Sequence, residues 1–248
     1  MIKELFVSLK QGHRTVDYPR TAPVLPDRFR GMPVADPAKC PGGCRLCVES
    51  CPTGALTEGL TFDLGRCLFC GKCRQSCPQG VIGFSREYRM AARQRNDLII
   101  KNSSLKLIES LDKESKRIFG RSLKLRQVSA GGCNACEADT NVLNTLVYDL
   151  GKFGVQFVAS PRHADGLLIT GPVSRNMSLA LEKTYAAVPA PKLVIATGAC
   201  AVSGGPYIGH PEVLNGAAGV VPVDLFIPGC PPHPWTILDG ILRLLGRL

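Results

Sequence analysis

The chain has 248 residues, 45% hydrophobic and 20% charged, which allows a sizeable buried core and excludes a disordered tail. Lys and Arg outnumber Asp and Glu by 30 to 20, and a formal charge of +10 taken alone points to nucleic acid or an acidic membrane surface. No apolar run is long enough to span a bilayer, and the start MIKELFVSLKQGHR has no apolar signal core or small-residue cleavage site, so a cytoplasmic protein is expected.

Residues 1–39 read as an extended arm. IKELFVSLKQG can form a short amphipathic helix with Leu5, Phe6 and Leu9 on one side, after which Pro19, Pro23, Pro26 and Pro33 break up any regular element. Residues 40–85 contain an internal repeat. Cys44, Cys47 and Cys51 recur 26 residues later as Cys70, Cys73 and Cys77, and Cys40 recurs 27 later as Cys67. Residues 86–119 form a basic connector, and over 86–126 twelve Lys and Arg face five Asp and Glu. Ser103 or Ser104 is expected to cap a helix running to about Ile118, with Leu105, Ile108 and Leu111 on one face.

Residues 120–248 switch to a strand–helix alternation. Strands are expected at Leu123–Val128, Val155–Ala159, Gly166–Thr170, Leu193–Thr197 and Val220–Ile227. Helices are expected at Ala138–Leu150, ended by Gly151, and at Pro234–Leu245. Such alternation implies a mostly parallel sheet covered on both faces.

Twelve cysteines carry the chemistry. A cytoplasmic setting and tight clustering argue for metal ligation over disulfides. Eight lie in two runs, Cys40-x3-Cys44-x2-Cys47-x3-Cys51-Pro52 and Cys67-x2-Cys70-x2-Cys73-x3-Cys77-Pro78. Three thiolates at this spacing can wrap an iron–sulfur cube, whereas zinc usually takes two CxxC pairs across a long gap. The other four, Cys133, Cys136, Cys200 and Cys230, follow predicted strands. Strand C-termini share one edge of a parallel sheet, so these thiols can converge despite separations of 64 (Cys136 to Cys200) and 30 (Cys200 to Cys230) residues. Cys136 also precedes a helix, whose N-terminus favours an anionic group.

Residues 40–85 resemble a bacterial-type two-cluster ferredoxin. That resemblance implies a crossed ligand set, Cys40, Cys44, Cys47 and Cys77 for one cluster and Cys67, Cys70, Cys73 and Cys51 for the other. The arm with its YP and LP-x-RFRG elements extends the likeness to the ferredoxin-type subunit of complex I and membrane-bound hydrogenases. Pro41-Gly42-Gly43 adds one residue to the usual spacing. GGCNACE, GACAVSGG and PGCPP resemble the NiFe-hydrogenase small subunit that holds a proximal 4Fe–4S cluster. SPRHADGLLITG and GRSLKLRQV narrow the likeness to energy-converting hydrogenases, formate hydrogenlyase and complex I. The two residues between Cys133 and Cys136 match membrane-bound hydrogenases, because the complex I subunit has adjacent cysteines there. The family usually carries the two halves as separate chains, so this chain resembles their fusion.

The resemblance implies an α+β ferredoxin-like two-cluster domain followed by an α/β flavodoxin-like domain. It implies three 4Fe–4S clusters relaying electrons to or from a NiFe-hydrogenase-type large subunit in a membrane-bound respiratory complex. The expected partners are that large subunit, integral membrane subunits and an upstream electron donor protein. The expected place is peripheral, on the cytoplasmic side. The chain is an enzyme subunit of oxidoreductase type with no catalytic residue of its own. The alternative is a quinone-reducing, complex I-like module, and a reading of another class is a zinc-bearing nucleic-acid binder. Three oxidised clusters with their thiolates contribute about −2 each, reducing +10 to about +4, so no nucleic-acid partner is expected. Arg162 and His163 follow a strand and are expected at the cluster edge, either bonding the cluster or the partner subunit or standing in a surface turn, with Arg175 a similar case. Glu137 is either a proton carrier or a favourable first-turn acid.

Overall fold

The computed structural model describes residues 2–12, 15–101 and 105–248. Helix α1 (Ile2–Gln11) opens the arm, and strand β1 (Pro33–Ala35) closes it, with Pro33 at the first strand position where its missing N–H is tolerated. The cysteine repeat follows as α2 (Leu46–Glu49), β2 (Leu56–Thr57), β3 (Thr61–Asp63), α3 (Lys72–Gln75) and β4 (Ile82–Phe84). Strand β1 pairs antiparallel with β4, while β2, β3 and β5 (Ile99–Ile100) form a three-stranded antiparallel sheet. Each cysteine run thus contributes one short helix and flanking strand ends.

The second half contains α4 (Lys113–Phe119), β6 (Leu123–Ser129), α5 (Ala135–Val142), β7 (Val155–Phe157), β8 (Gly166–Thr170), α6 (Arg175–Ala187), β9 (Leu193–Thr197), α7 (Ala199–Ser203), β10 (Leu225–Ile227) and α8 (Pro234–Leu244). The five strands form one parallel sheet in the order β10-β9-β8-β6-β7. Counted within this half the order is 2-1-3-4-5, a doubly wound arrangement. Strands β8 and β9 are buried along their whole length, as a sheet covered on both faces requires.

Side-chain alternation splits the core. Leu168, Ile195, Leu225 and Ile227 face α8, against Ile237, Leu238, Ile241 and Leu242. Leu167, Ile169, Val194, Ala196 and Phe226 face the other way and join Leu56, Phe62, Leu64, Leu98 and Ile100 of the cysteine-repeat module in one continuous cluster. The two halves therefore share a core. Two polar links reinforce it: the backbones of Ala92 and Phe226 exchange hydrogen bonds of 2.9 and 2.8 Å, and the Ser203 hydroxyl donates to the Gly65 carbonyl at 2.9 Å. Ala92 thereby covers the outer edge of β10.

Four sequence expectations fall differently. The helix expected over Ala138–Leu150 runs Ala135–Val142 instead, because Asn141, Asn144 and Thr145 favour local bonds over helix continuation. The Leu143 and Asn144 N–H groups reach only three residues back, and the Thr145 hydroxyl donates to the Val142 carbonyl. The connector helix begins at Lys113, capped by the Asp112 carboxylate; Ser103 and Ser104 lie outside the described residues, and Leu105–Leu111 is not helical. The last strand starts at Leu225 rather than Val220, after a short turn at Ala217–Gly219. Helix α6 was not expected at all, since its face toward the core buries little beyond Leu181 and its apolar periodicity is weak.

A buried polar cluster ties the arm to α8. The Tyr18 hydroxyl donates to Asp239 at 2.9 Å, and Arg243 donates to the other carboxylate oxygen at 2.8 Å. Asp239 is 1% exposed, and burial raises its pKa while Arg243 and Tyr18 oppose that shift. Removing Arg243 leaves a buried carboxylate without its hydrogen-bonded counter-charge, whereas removing the Tyr18 hydroxyl deletes neutral-donor hydrogen bonds with Asp239 and Tyr88. We therefore expect Arg243→Met to cost about 3 kcal/mol and Tyr18→Phe about 1 to 2 kcal/mol. The half-life of the folded, coloured chain at a fixed elevated temperature should rank wild type above Tyr18→Phe and Tyr18→Phe above Arg243→Met.

Candidate metal centres

The two cysteine runs cross in space. Helices α2 and α3 pack against each other, so the end of each run reaches the start of the other. Burial raises the Cys47 thiol above its ordinary range, and charge on Cys77 and Cys40 adds to that effect. Burial pushes the Cys67 thiol to about 12, with Cys73, Cys51 and Cys70 adding to the shift. Cys73 is pushed to about 11 by burial first, then by Cys51, Cys70 and Cys47. Cys40, Cys44 and Cys47 line one cavity, and Cys51, Cys67, Cys70 and Cys73 line another. The grouping by proximity is thus Cys40, Cys44 and Cys47 with Cys77, and Cys67, Cys70 and Cys73 with Cys51.

Backbone donors point at these sulfurs. The N–H groups of Ala55, Phe69 and Val81 donate to the Sγ atoms of Cys51, Cys67 and Cys77 at 3.2, 3.3 and 3.4 Å. Such bonds favour a thiolate over a thiol. Ala55 and Val81 stand four residues after the last cysteine of each run, so the pro-cys-type turn that follows supplies the donor. Nothing in the residue types announces this, although the repeated CPTGAL and CPQGVI carry it.

The four remaining thiols come together at one end of the parallel sheet. Cys133 follows β6, Cys136 stands in the first turn of α5, Cys200 in α7 after β9, and Cys230 in the turn between β10 and α8. Burial raises Cys136, and Cys200, Glu137, Cys230 and Cys133 add to the shift in that order. Cys200 is pushed to about 11 by burial and then by Cys230 and Cys133. Cys230 is raised by burial, then by Cys133 and by Cys70 of the ferredoxin-like module. Phe69 lines one cavity with Gly229 and Pro231, so the loops that carry Cys70 and Cys230 meet. Arg30 braces this junction, because its Nη1 donates to the carbonyls of Phe69 and Cys70 at 3.0 and 2.8 Å. The prolines and glycines of the arm had hidden that role.

Glycine is required where the chain passes the sulfurs. Gly198 has φ +92°, and a Cβ there would lie 2.5 Å from the Cys136 Sγ. Gly205 has φ +56°, and a Cβ there would lie 2.8 Å from the Cys200 Sγ. Glu137 is buried and accepts hydrogen bonds from the Ser129 and Thr170 hydroxyls at 2.5 and 2.6 Å, which join the ends of β6 and β8. Arg175 donates to the Pro211 carbonyl and its backbone N–H to Glu212, so it holds a surface loop. Arg162 and His163 are not at the cluster edge. Strand β7 pairs only with Leu123–Leu125, and the turn after it returns to the start of β6, where Asp165 and Lys124 exchange hydrogen bonds. Being short, β7 ends before it reaches the thiols.

The donor set fits iron–sulfur clusters. Burial and neighbouring sulfurs raise Cys47, Cys67, Cys73, Cys136, Cys200 and Cys230, and a bound cation is what releases protons from such thiols. Among the described residues, no three His, Cys, Asp or Glu side chains close on a single ion.

Comparison with known proteins agrees with this chemistry. Residues 60–83 match the 4Fe-4S binding domain family, and residues 133–244 match the family described as NADH ubiquinone oxidoreductase, 20 Kd subunit. Over 147 residues the chain is 40% identical to "probable membrane-bound hydrogenase subunit mbhJ" of Pyrococcus furiosus, spanning 59% of this chain and 88% of that protein. The chain belongs to the NADH ubiquinone oxidoreductase 20 Kd subunit family. It is also 36% identical over 159 residues to formate hydrogenlyase subunit 7 of Escherichia coli, spanning 64% of this chain and 62% of that one. A chain of an archaeal membrane-bound sulfane sulfur reductase superposes with a TM-score of 0.48 at 32% identity, over 55% of this chain and 75% of that chain. The 4Fe-4S match contains Cys67, Cys70, Cys73 and Cys77, and the 20 Kd subunit match contains Cys133, Cys136, Cys200 and Cys230.

Gly198→Ala tests the third group by sterics alone. We expect it to remove about four iron atoms per chain while the other sites keep theirs. Gly42→Ala, whose added Cβ meets nothing within 4 Å, should leave the iron content unchanged.

Proposed function

We propose that this chain is the electron-transfer subunit of a membrane-bound respiratory complex, with three 4Fe–4S clusters as its resident groups. The single observation that carries this reading is the junction where Phe69, of the Cys70 loop, lines one cavity with Gly229 and Pro231, the chain neighbours of Cys230. Bound clusters supply one-electron transfer. The protein's own task is to hold them: Cys40, Cys44, Cys47 and Cys77 for the first site, Cys67, Cys70, Cys73 and Cys51 for the second, Cys133, Cys136, Cys200 and Cys230 for the third. The Ala55, Phe69 and Val81 N–H groups orient the sulfurs, and the shared core fixes the spacing between sites. The N-terminus of α5 adds favourable potential at Cys136.

The division of the chain supports that task, with an arm over 1–39, a two-cluster domain over 40–85, a basic connector over 86–119 and a 20 Kd subunit-like domain over 120–248. The catalytic chemistry of the complex belongs to a partner. That partner is a NiFe-hydrogenase-type large subunit, favoured by the Cys133-x2-Cys136 spacing and by the likeness to a protein described as a hydrogenase subunit. Membrane subunits of the same complex and an upstream donor protein complete the set. No helix of the described residues is long and apolar enough to cross a membrane, which suits a peripheral position on the cytoplasmic side.

Substitution separates the sites. Cys136→Ala should abolish electron delivery to the partner while leaving the ferredoxin-type sites reducible by dithionite. Cys77→Ala should instead remove iron from the first site, along with Cys40, Cys44 and Cys47. Partner turnover that survives Cys136→Ala would contradict the order of sites. Gentle detergent extraction and pull-down on this chain should bring a nickel-containing large subunit, and a nickel-free one with quinone reductase activity would replace the hydrogenase reading with a complex I-like one.

A further inference from the structure

None of the residues of helix α1 is buried. Four of its five apolar side chains form one stripe, and Val7 lies on the opposite face. Ile2, Leu5, Phe6 and Leu9 stand at i, i+3, i+4 and i+7, one stripe on the helix surface, and Phe6 and Leu9 are 69% and 73% exposed. At 100° per residue, Lys3 and Lys10 fall together on one border of that stripe, and Glu4 falls on the far side. The helix is strongly amphipathic yet scarcely hydrophobic on average. That combination marks an element that lies in a lipid interface. A face meant for a protein partner is usually poor in lysine, whereas lysines bordering an apolar stripe can reach anionic headgroups.

The tether defines which side faces the lipid. The Val16 N–H donates to the Val147 carbonyl at 3.1 Å, and the Lys152 ammonium donates to the Val16 carbonyl at 2.7 Å. Five residue steps separate Gln11 from Val16, a reach of at most about 17 Å. So α1 stays near the surface that carries Val147 and Lys152.

We propose that α1 is an interfacial anchor that lies in the plane of an anionic membrane surface. Ile2, Leu5, Phe6 and Leu9 enter the acyl boundary, and Lys3 and Lys10 meet the headgroups. Four apolar side chains and two lysines give weak, reversible binding, so α1 orients the chain on the membrane while other subunits hold it there. This proposal rests on the reading of membrane association given above, and it adds a lipid contact made by this chain itself.

The test uses the full chain, purified anaerobically with its iron, and sedimented with vesicles of phosphatidylcholine alone or mixed with phosphatidylglycerol. Wild type should co-sediment with the anionic vesicles, more weakly in high salt and least with phosphatidylcholine alone. Leu5→Asp combined with Phe6→Asp should abolish that binding, and each of Lys3→Gln and Lys10→Gln should weaken it about fivefold. Iron content should be unchanged in all of them, because α1 touches no thiol. Absence of wild-type binding, or equal binding by the double Asp variant, would overturn the anchor. A photo-crosslinker at position 5 in the detergent-extracted complex gives the second arm. Lipid adducts support the anchor, while adducts to a protein subunit overturn it and leave the reading of a membrane-bound complex standing.

Discussion

Phe69 and Arg30 line one cavity with Gly229 and Pro231, and this junction between the loop of Cys70 and the turn of Cys230 is what the rest of the molecule depends on. Cys70 and Cys230 belong to different halves of the chain, 160 positions apart in sequence, and electron transfer between their sites needs a fixed separation. The fold secures it three ways. The ferredoxin-like core and one face of the parallel sheet merge into a single apolar cluster. Ala92 pairs with β10, the strand that leads into Cys230. Arg30 clamps the Cys70 loop from the arm. Joining the halves in one chain makes the junction intramolecular, so it does not depend on subunit concentration.

The sheet geometry explains the third site. All five strands run the same way, so the loops after β6, β9 and β10 emerge at one edge and deliver four cysteines that are remote in sequence. A glycine at Gly198 is the condition for that convergence, because any side chain there would occupy the space of the Cys136 sulfur. Burial raises the pKa of Cys136, Cys200 and Cys230, and a cationic cluster core relieves that cost by taking the thiolates as ligands.

Much of this was legible in the residues. The 26-residue offset between the cysteine runs reveals the paired sites, and unbroken apolar runs mark β8 and β9 at their observed limits, since strands buried on both faces carry no polar alternation. The strict stripe of α8 also matches its observed span to within one residue. What stayed hidden was settled by local competition or by tertiary contact. Val142, Leu143, Leu146, Val147 and Leu150 keep helical spacing, yet Asn and Thr bonding ends the helix at Val142 and leaves Leu146 exposed. The place of Arg162 and His163 depended on the length of β7, which three residues of pairing decide. The roles of Arg30 and Ala92 arise from contacts across the chain that no local pattern encodes.

Iron and acid-labile sulfide analysis of the intact chain, purified anaerobically, tests the central claim most directly. Three four-iron clusters predict about 12 iron and 12 sulfide per chain, with no zinc. A value near eight of each would remove the site at Cys133, Cys136, Cys200 and Cys230 from the account, and zinc in place of iron would contradict it altogether.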